Sequence, residues 1–214
     1  MSTAASNAET LLFQALTGSR ECFGRLLELY RNYLKLLVVA QLEKPLQRRV
    51  SPSDVVQETF LEANRDFAQF RGASTGEFSS WLRRILLNNV HRAIEQHVLT
   101  AKRSLRREVS LDAMAASLEQ STVRLDAILA GAVDSPSEHL QRHELQLNLA
   151  NRLAELPEDY RDVVVLRHLQ GMPFEQVGLQ MGRSTGAARM LWLRAIRQLR
   201  EQLLGDSDHG GRWT

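Results

Sequence analysis

Arg183, Arg189, Arg194, Arg197 and Arg200 crowd the C-terminal third of the chain. A guanidinium is the side chain best suited to hold a phosphate or the acceptor edge of a guanine. Their setting suits one device. Phe174 to Met181 reads as a short amphipathic helix. Gly182 follows, suited to the positive backbone angle at a helix end, and Ser184 is suited to cap the next helix. From Thr185, the apolar residues Ala188, Trp192, Ala195, Ile196, Leu199 and Leu203 recur at helical spacing, with the arginines on the flanks or the opposite side. A short helix, a glycine turn and a long basic helix describe a DNA-reading helix-turn-helix, inserted by the N-terminal end of its second helix. The same pattern is compatible with an ordinary αα-corner in a helical core.

Other chemistry is poorly supplied. No glycine-rich phosphate loop, nucleophile elbow or paired catalytic carboxylate emerges, so no enzyme and no cofactor is expected. His139 and His143 sit four apart on a predicted helix, but no third metal ligand is apparent. Cys22 is alone, which excludes a disulfide framework or a cysteine zinc cluster within the chain. Lys plus Arg number 27 against 25 for Asp plus Glu, a net charge of only +2, so the location of the basic residues matters more than their total. No apolar run is long enough for a bilayer, and Met1 to Glu9 lacks a signal-peptide pattern; the expected setting is the cytoplasm, without membrane insertion.

The elements that must position these residues are helices. Pro and Gly are sparse, at 5 and 12, and strand-type alternation is hard to find, so the fold class is all-α. Phe23, Leu27, Tyr30, Leu34 and Leu37 form one stripe. Ser51-Pro-Ser-Asp54 announces a second helix, with a serine cap, proline in the first turn and a carboxylate three residues after the cap. Along it Val56, Phe60, Ala63, Phe67 and Phe70 make one continuous stripe, with Asp54, Gln57, Glu58 and Glu62 largely outside. Residues 71–76 read as a loop, Ser74 and Glu77 as a capping box, and Trp81 to His97 as a third helix bearing Arg83, Arg84, Asn88, Asn89, His91 and Arg92. Lys102, Arg103, Arg106 and Arg107 form a basic cluster. Residues 111–134, with four acids and one base, read as a weakly structured linker, part of it open to helix because Leu118, Leu125, Ile128 and Leu129 recur loosely. Ser135-Pro-Ser-Glu138 repeats the cap signal. Leu140, Leu145, Leu149 and Leu153 suggest a helix ended at Leu156-Pro157, and Tyr160 to Leu169 suggests another. The expected division is a helical domain over 1–98, a flexible linker over 99–134, a helix-turn-helix domain over 135–204 and a tail over 205–214.

Two such helical units resemble one family over nearly the whole chain. In the first, the resemblance rests on Asp54-Val-Val-Gln-Glu-Thr-Phe60, Phe70-Arg-Gly72, Phe78-Ser-Ser-Trp-Leu-Arg-Arg-Ile85 and Asn88. In the second it rests on Ser135-Pro-Ser-Glu138, Leu156-Pro-Glu158, Arg161, Val164, Leu166-Arg167, Phe174-Glu-Gln-Val177, Met181-Gly-Arg-Ser184, Arg194-Ala195 and Leu199-Arg200. Each piece is weak alone, but their order and separation together resemble the bacterial sigma-70 factors, specifically the small extracytoplasmic-function (ECF) group.

The resemblance implies partners and sites. Core RNA polymerase would be held through Asp54, Gln57, Glu58 and Leu61; by its residue types alone this reads rather as a solvated helix face. The opened −10 promoter element would be captured by Arg71, Arg83, Arg84, Asn88 and Arg92. Stacking and pocket contacts of roughly 1–3 kcal/mol per base would offset the cost of extruding it. Phe67, Phe70, Phe78 and Trp81 read instead as core. Relatives commonly carry an aspartate where this chain has Arg92, so their −10 base preference does not carry over. The −35 element would be read by Arg183, Ser184, Thr185, Gly186, Arg189, Met190 and Arg194, with Arg194 and Arg197 nearer to phosphate or solvent. Trp192, where relatives have leucine, reads as packing into space left by Ala188. In the family the linker threads the polymerase cleft; a plain tether is the alternative. Members are often held by an anti-sigma protein, which adds such a partner to the expectation. A free-standing helix-turn-helix regulator is the rival reading, and the Asp54–Leu61 helix discriminates, since a regulator has no need of it.

Overall fold

The computed structural model describes residues 5–42, 44–47, 49–100, 110–130 and 139–208, and every regular element among them is helical. They belong to two compact units, Thr3–Gln120 and Ser121–Thr214.

The first unit contains α1 (Ala5–Leu16), α2 (Arg20–Gln41), the single turn α3 (Lys44–Gln47), α4 (Pro52–Asp66) and α5 (Thr75–Thr100). The predicted α2 stripe is its core: Phe23, Leu27, Tyr30, Leu34 and Leu37 are all buried. Ser51 caps α4 by accepting the Asp54 N–H at 3.3 Å, and Pro52 occupies the first turn, where its missing N–H costs nothing. The expected stripe from Val56 to Phe70 crosses two elements. The α-helix ends at Asp66 and a 3₁₀ turn, Phe67–Gln69, completes it. Ser74 and Glu77 form the predicted reciprocal box: Ser74 Oγ accepts the Glu77 N–H at 3.3 Å, and Glu77 Oε2 accepts the N–H groups of Ala73 and Ser74 at 2.9 and 3.0 Å. These bonds, the Ala73 amide first, hold the Glu77 carboxyl below the usual carboxylate range. They also start α5 at Thr75, a turn and a half before the expected Trp81.

The aromatic residues around this turn are core, as their type suggests. Phe78 is fully buried, with Phe23, Tyr30, Phe67, Phe70 and Trp81 packed about its ring. Gly72 passes close by: a Cβ there would stand 2.5 Å from the Phe70 ring, so the loop between α4 and α5 requires glycine at this point. The Tyr30 hydroxyl donates to the Thr75 carbonyl at 3.3 Å and ties α2 to the start of α5.

Residues 111–134, expected to be weakly structured, include a helix, α6 (Leu111–Ala130). The loose apolar recurrence noted in the sequence is enough to make it. The segment has no glycine or proline until Gly131, it is rich in Ala and Leu, and Leu118, Leu125 and Ile128 share a buried face. The boundary between the units falls inside α6, and its last turns belong to the second.

The second unit continues with α7 (His139–Glu155), α8 (Glu158–Val164), α9 (Phe174–Met181) and α10 (Thr185–Asp208). The single helix expected from Tyr160 to Leu169 is instead α8 followed by a π turn, Val165–Leu169. There the Gln170 N–H reaches the Val165 carbonyl at 2.9 Å and the Met172 N–H reaches that of Leu166 at 3.0 Å. The Leu169 carbonyl accepts Arg124 Nη1 of α6 at 2.9 Å, and the Arg124 guanidinium lies against Gly171, whose φ is +70°. A Cβ on Gly171 would meet that guanidinium at 2.8 Å. The tail expected from Gly205 begins later, because α10 runs on to Asp208. The basic cluster at Lys102–Arg107, the Ser135–Glu138 cap and residues 209–214 lie outside the described residues.

Candidate functional site

Three surfaces carry the residues singled out above, two on the first unit and one on the second. The first is the outer face of α4. Val55, Val56, Thr59, Phe60 and Ala63 turn inward and are buried, which leaves Asp54, Gln57, Glu58 and Leu61 exposed at helical spacing i, i+3, i+4, i+7. Leu61 is 58 % exposed between carboxylates and an amide. A rigid helix offering short acidic and amide groups around one bare leucine suits a basic partner surface with an apolar spot.

The second surface is the exposed side of α5 with the loop before it. Arg84, Asn88 and Arg92 lie along one face at i, i+4, i+8, all exposed. Arg83 is drawn inward: Nη1 donates to Tyr33 Oη at 3.1 Å and Nη2 to Ser80 Oγ at 3.0 Å. Arg71 stands in the loop, and its Nη1 donates to the Ala68 carbonyl at 2.8 Å. Arg84 and Asn88 are thus offered to a ligand, while Arg83 and Arg71 are partly engaged by the protein. Two partners escaped the sequence reading. Asn89, buried, donates Nδ2 to Glu62 Oε2 at 3.1 Å and to Thr59 Oγ1 at 3.4 Å; Arg92 Nη1 donates to Glu62 Oε1 and to Asn89 Oδ1, both at 3.1 Å. Only the polar character of Glu62 and Asn89 could have signalled this, and nothing in their spacing, 27 residues apart, joins them.

The third surface is the helix-turn-helix of α9 and α10. Gly182 closes α9 at φ +65°, its N–H reaching the Leu179 carbonyl at 3.3 Å, and the Arg183 N–H reaches that of Gly178 at 2.8 Å. This is the paired closure that a left-handed glycine permits. Ser184 Oγ accepts the Ala187 N–H at 3.2 Å and starts α10. Gly178 is a second requirement: a Cβ there would stand 2.8 Å from the Arg183 carbonyl oxygen. Gly186, Arg189, Met190 and Arg194 are exposed on the first turns of α10, and Thr185 is half-buried. The Arg189 guanidinium lies 5.4 Å from the Phe174 ring centroid, an orientation that stiffens it without using its donors. Arg183 Nη2 pairs with Asp159 Oδ2 of α8 at 2.6 Å, so one arm of its guanidinium is engaged within the unit.

Trp192 packs against His168 and Phe174, with ring centroids 5.6 and 5.7 Å away, beside the buried Ala188. Its Nε1–H donates to His168 Nε2 at 2.9 Å, which requires that nitrogen to be unprotonated. Burial first, and then the charge of Arg167, pushes the His168 pKa below its ordinary value. His143 is buried beside Gln146, and the described residues contain no cluster of three or more potential metal ligands. No described helix is long and apolar enough to cross a membrane.

A family model described as sigma-70 region 2 matches residues 29–100, and one described as sigma-70 region 4 matches residues 146–199. The chain is similar to the ECF RNA polymerase sigma-E factor of Haemophilus influenzae, at 30 % identity over 201 residues covering 92 % of this chain and 97 % of that protein. It is also similar to the RNA polymerase sigma factor CarQ of Myxococcus xanthus, at 31 % over 153 residues, 72 % of this chain and 74 % of that one. The RNA polymerase sigma-H factor of Pseudomonas aeruginosa is 28 % identical over 187 residues, 87 % and 89 % of the two chains.

Proposed function

The chain belongs to the sigma-70 family of RNA polymerase sigma factors, in its extracytoplasmic-function group, and from that premise we propose how its faces divide the work of promoter-specific initiation. The α4 face of Asp54, Gln57, Glu58 and Leu61 binds core polymerase. The α5 face of Arg84, Asn88 and Arg92, with Arg71 and Arg83 beside it, takes the −10 element as it opens. Arg183 and Ser184 of the turn, with Thr185, Gly186, Arg189, Met190 and Arg194 on the first turns of α10, read the −35 element in the major groove. The domain division expected from sequence, 1–98 and 135–204, follows the same assignment once the last turns of α6, from Ser121, are added to the second domain. The α6 segment occupies the stretch between them. Synthesis itself belongs to the polymerase, and the setting is the cytoplasm, where transcription takes place.

The observation that carries the reading is the α4 face. A helix face that sets Leu61, 58 % exposed, beside Asp54, Gln57 and Glu58 suits docking on a basic protein partner, and a protein that only binds DNA has no need of it. Exposed Leu179, Met190 and Leu193 support an anti-sigma protein as a further partner that would cover the second unit.

The test is reconstitution. Sigma-free core polymerase, promoter DNA and the full chain should give specific run-off transcripts. Asp54→Ala with Gln57→Ala should weaken core binding by about tenfold, the cost of losing hot-spot contacts, while upstream-duplex binding by the full chain is unchanged. Equal loss of both would contradict the division of labour.

A further inference from the structure

Arg92 differs from the other candidate cations in how it is held. Its Nη1 is clamped between two acceptors, Glu62 Oε1 from α4 and Asn89 Oδ1 one turn back on α5, each at 3.1 Å. Glu62 is itself fixed, since its second oxygen accepts Asn89 Nδ2, which also reaches the buried Thr59 hydroxyl. The anchor is shielded and the cation is not: the Glu62 side chain is 16 % exposed and that of Arg92 52 %. Among the described residues, Nε and Nη2 of Arg92 have no partner.

Those two atoms form the side-on edge of the guanidinium, two parallel N–H groups in one plane. This edge matches two acceptors side by side, as in O6 and N7 of guanine. A network that spends a half-buried carboxylate and a buried amide to fix one guanidinium suits base reading better than phosphate contact. A phosphate can be met by a freely moving cation at many angles, whereas a bidentate base contact tolerates one. Arg92 lines a shallow cleft of about 360 Å³ whose other charged walls are Arg49, Asp54 and Glu58. No described ion pair joins Arg92 to either carboxylate of that cleft.

We infer that Glu62 is a positioning residue which, through Arg92, makes this chain select a guanine in the −10 region. The assignment rests on the α5 face being the −10 surface, as proposed above. It adds that Arg92 presents donors to the base and that the acid orienting them comes from the neighbouring, polymerase-facing helix.

The experiment uses holoenzyme reconstituted from core polymerase and the full chain, with a promoter library randomised across the −10 region and transcripts counted for each base at each position. Wild type is expected to favour guanine at one position by about 5- to 150-fold, the discrimination of one bidentate contact. Arg92→Lys keeps the charge and loses the fork, so it should erase that preference while other positions hold theirs. Glu62→Ala should reduce the preference at the same position, and Glu62→Gln, which keeps one acceptor, should restore part of it. Thermal unfolding of each variant separates this pattern from misfolding, which would depress all positions together. A guanine preference that survives Arg92→Lys would mark a contact made by charge alone, as to phosphate, and overturn the inference. So would Glu62 variants that leave base preference untouched. Absence of any specific transcript with wild type would bring down the parent reading and this inference with it.

Discussion

Gly178 offers the sharpest test of how the helix-turn-helix is built. In an exposed helix interior, Gly→Ala stabilises by about 1 kcal/mol through backbone entropy. At Gly178 the new Cβ would stand 2.8 Å from the Arg183 carbonyl oxygen and 3.3 Å from the Ser184 carbon and the Thr185 nitrogen. All three are backbone atoms, so no side chain can rotate away. Even a close carbon–oxygen contact needs about 3.3 Å or more, so the turn must retreat by about 0.5 Å. That movement strains the 2.8 Å hydrogen bond from the Arg183 N–H to the Gly178 carbonyl. Overpacking of this kind costs about 1–3 kcal/mol, which cancels or exceeds the entropy gain. The net expectation for Gly178→Ala is a loss of up to about 2 kcal/mol, at about 4–8 °C in Tm per kcal/mol for a unit of this size. Gly186→Ala is the control: nothing lies within 4 Å of its Cβ position, and it should gain some tenths up to about 1 kcal/mol. The assay is thermal unfolding of the full chain by circular dichroism, paired with binding to upstream duplex. If Gly178→Ala stabilises as much as Gly186→Ala, the close approach of α9 to the turn is not a constraint and the reasoning fails.

His168 has its folded pKa lowered by burial and by Arg167, so the unfolded chain binds the extra proton first as pH falls. Its stabilising contribution is therefore complete above about pH 6.5 and is lost progressively below it; Tm measured from pH 7.5 to 5 should fall, and His168→Gln, which still accepts from Trp192, should flatten that fall. Arg183→Ala breaks an ion pair whose partners are 40 % and 58 % exposed, so stability should drop by less than about 1 kcal/mol while specific upstream binding weakens; a loss above about 2 kcal/mol would make Arg183 a structural residue. Phe78→Ala removes the centre of the aromatic cluster and should cost about 3–5 kcal/mol, abolishing core binding in pull-down; retention of both stability and binding would deny Phe78 its place in the core.

Local signals carried most of the fold. Ser51, Ser74 with Glu77, Gly182 and Ser184 each act within four residues of themselves, and each sits where its chemistry required. The misreadings arose where the deciding partner is remote or the chemistry is permissive. Alanine and serine in residues 111–130 suit a tether as well as a helix, and the buried face of α6 decides between them. The π turn after α8 has no sequence signature; a carbonyl engaged by Arg124, 45 residues away, accompanies it. The site was legible as types on faces: Asp54, Gln57, Glu58 and Leu61 fall on one exposed side because their neighbours are apolar at the complementary spacing. The internal engagement of Arg83 by Tyr33 and of Arg183 by Asp159 was not legible, because each depends on a residue brought near only by folding.

The Arg124 contact bears on how this protein should be cut into pieces. Leu125 and Ile128 are buried, and Ile128 lines a small cleft with His168, Trp192, Ile196 and Leu199. A fragment begun at residue 135, or at 146 where the region 4 match starts, would shed that cover along with the donor to Leu169. It would leave an oily indole face and a bare backbone oxygen open to solvent. Expression boundaries for the DNA-reading half therefore belong upstream of Ser121, and a truncation that precipitates would be reporting a missing piece rather than an unstable fold.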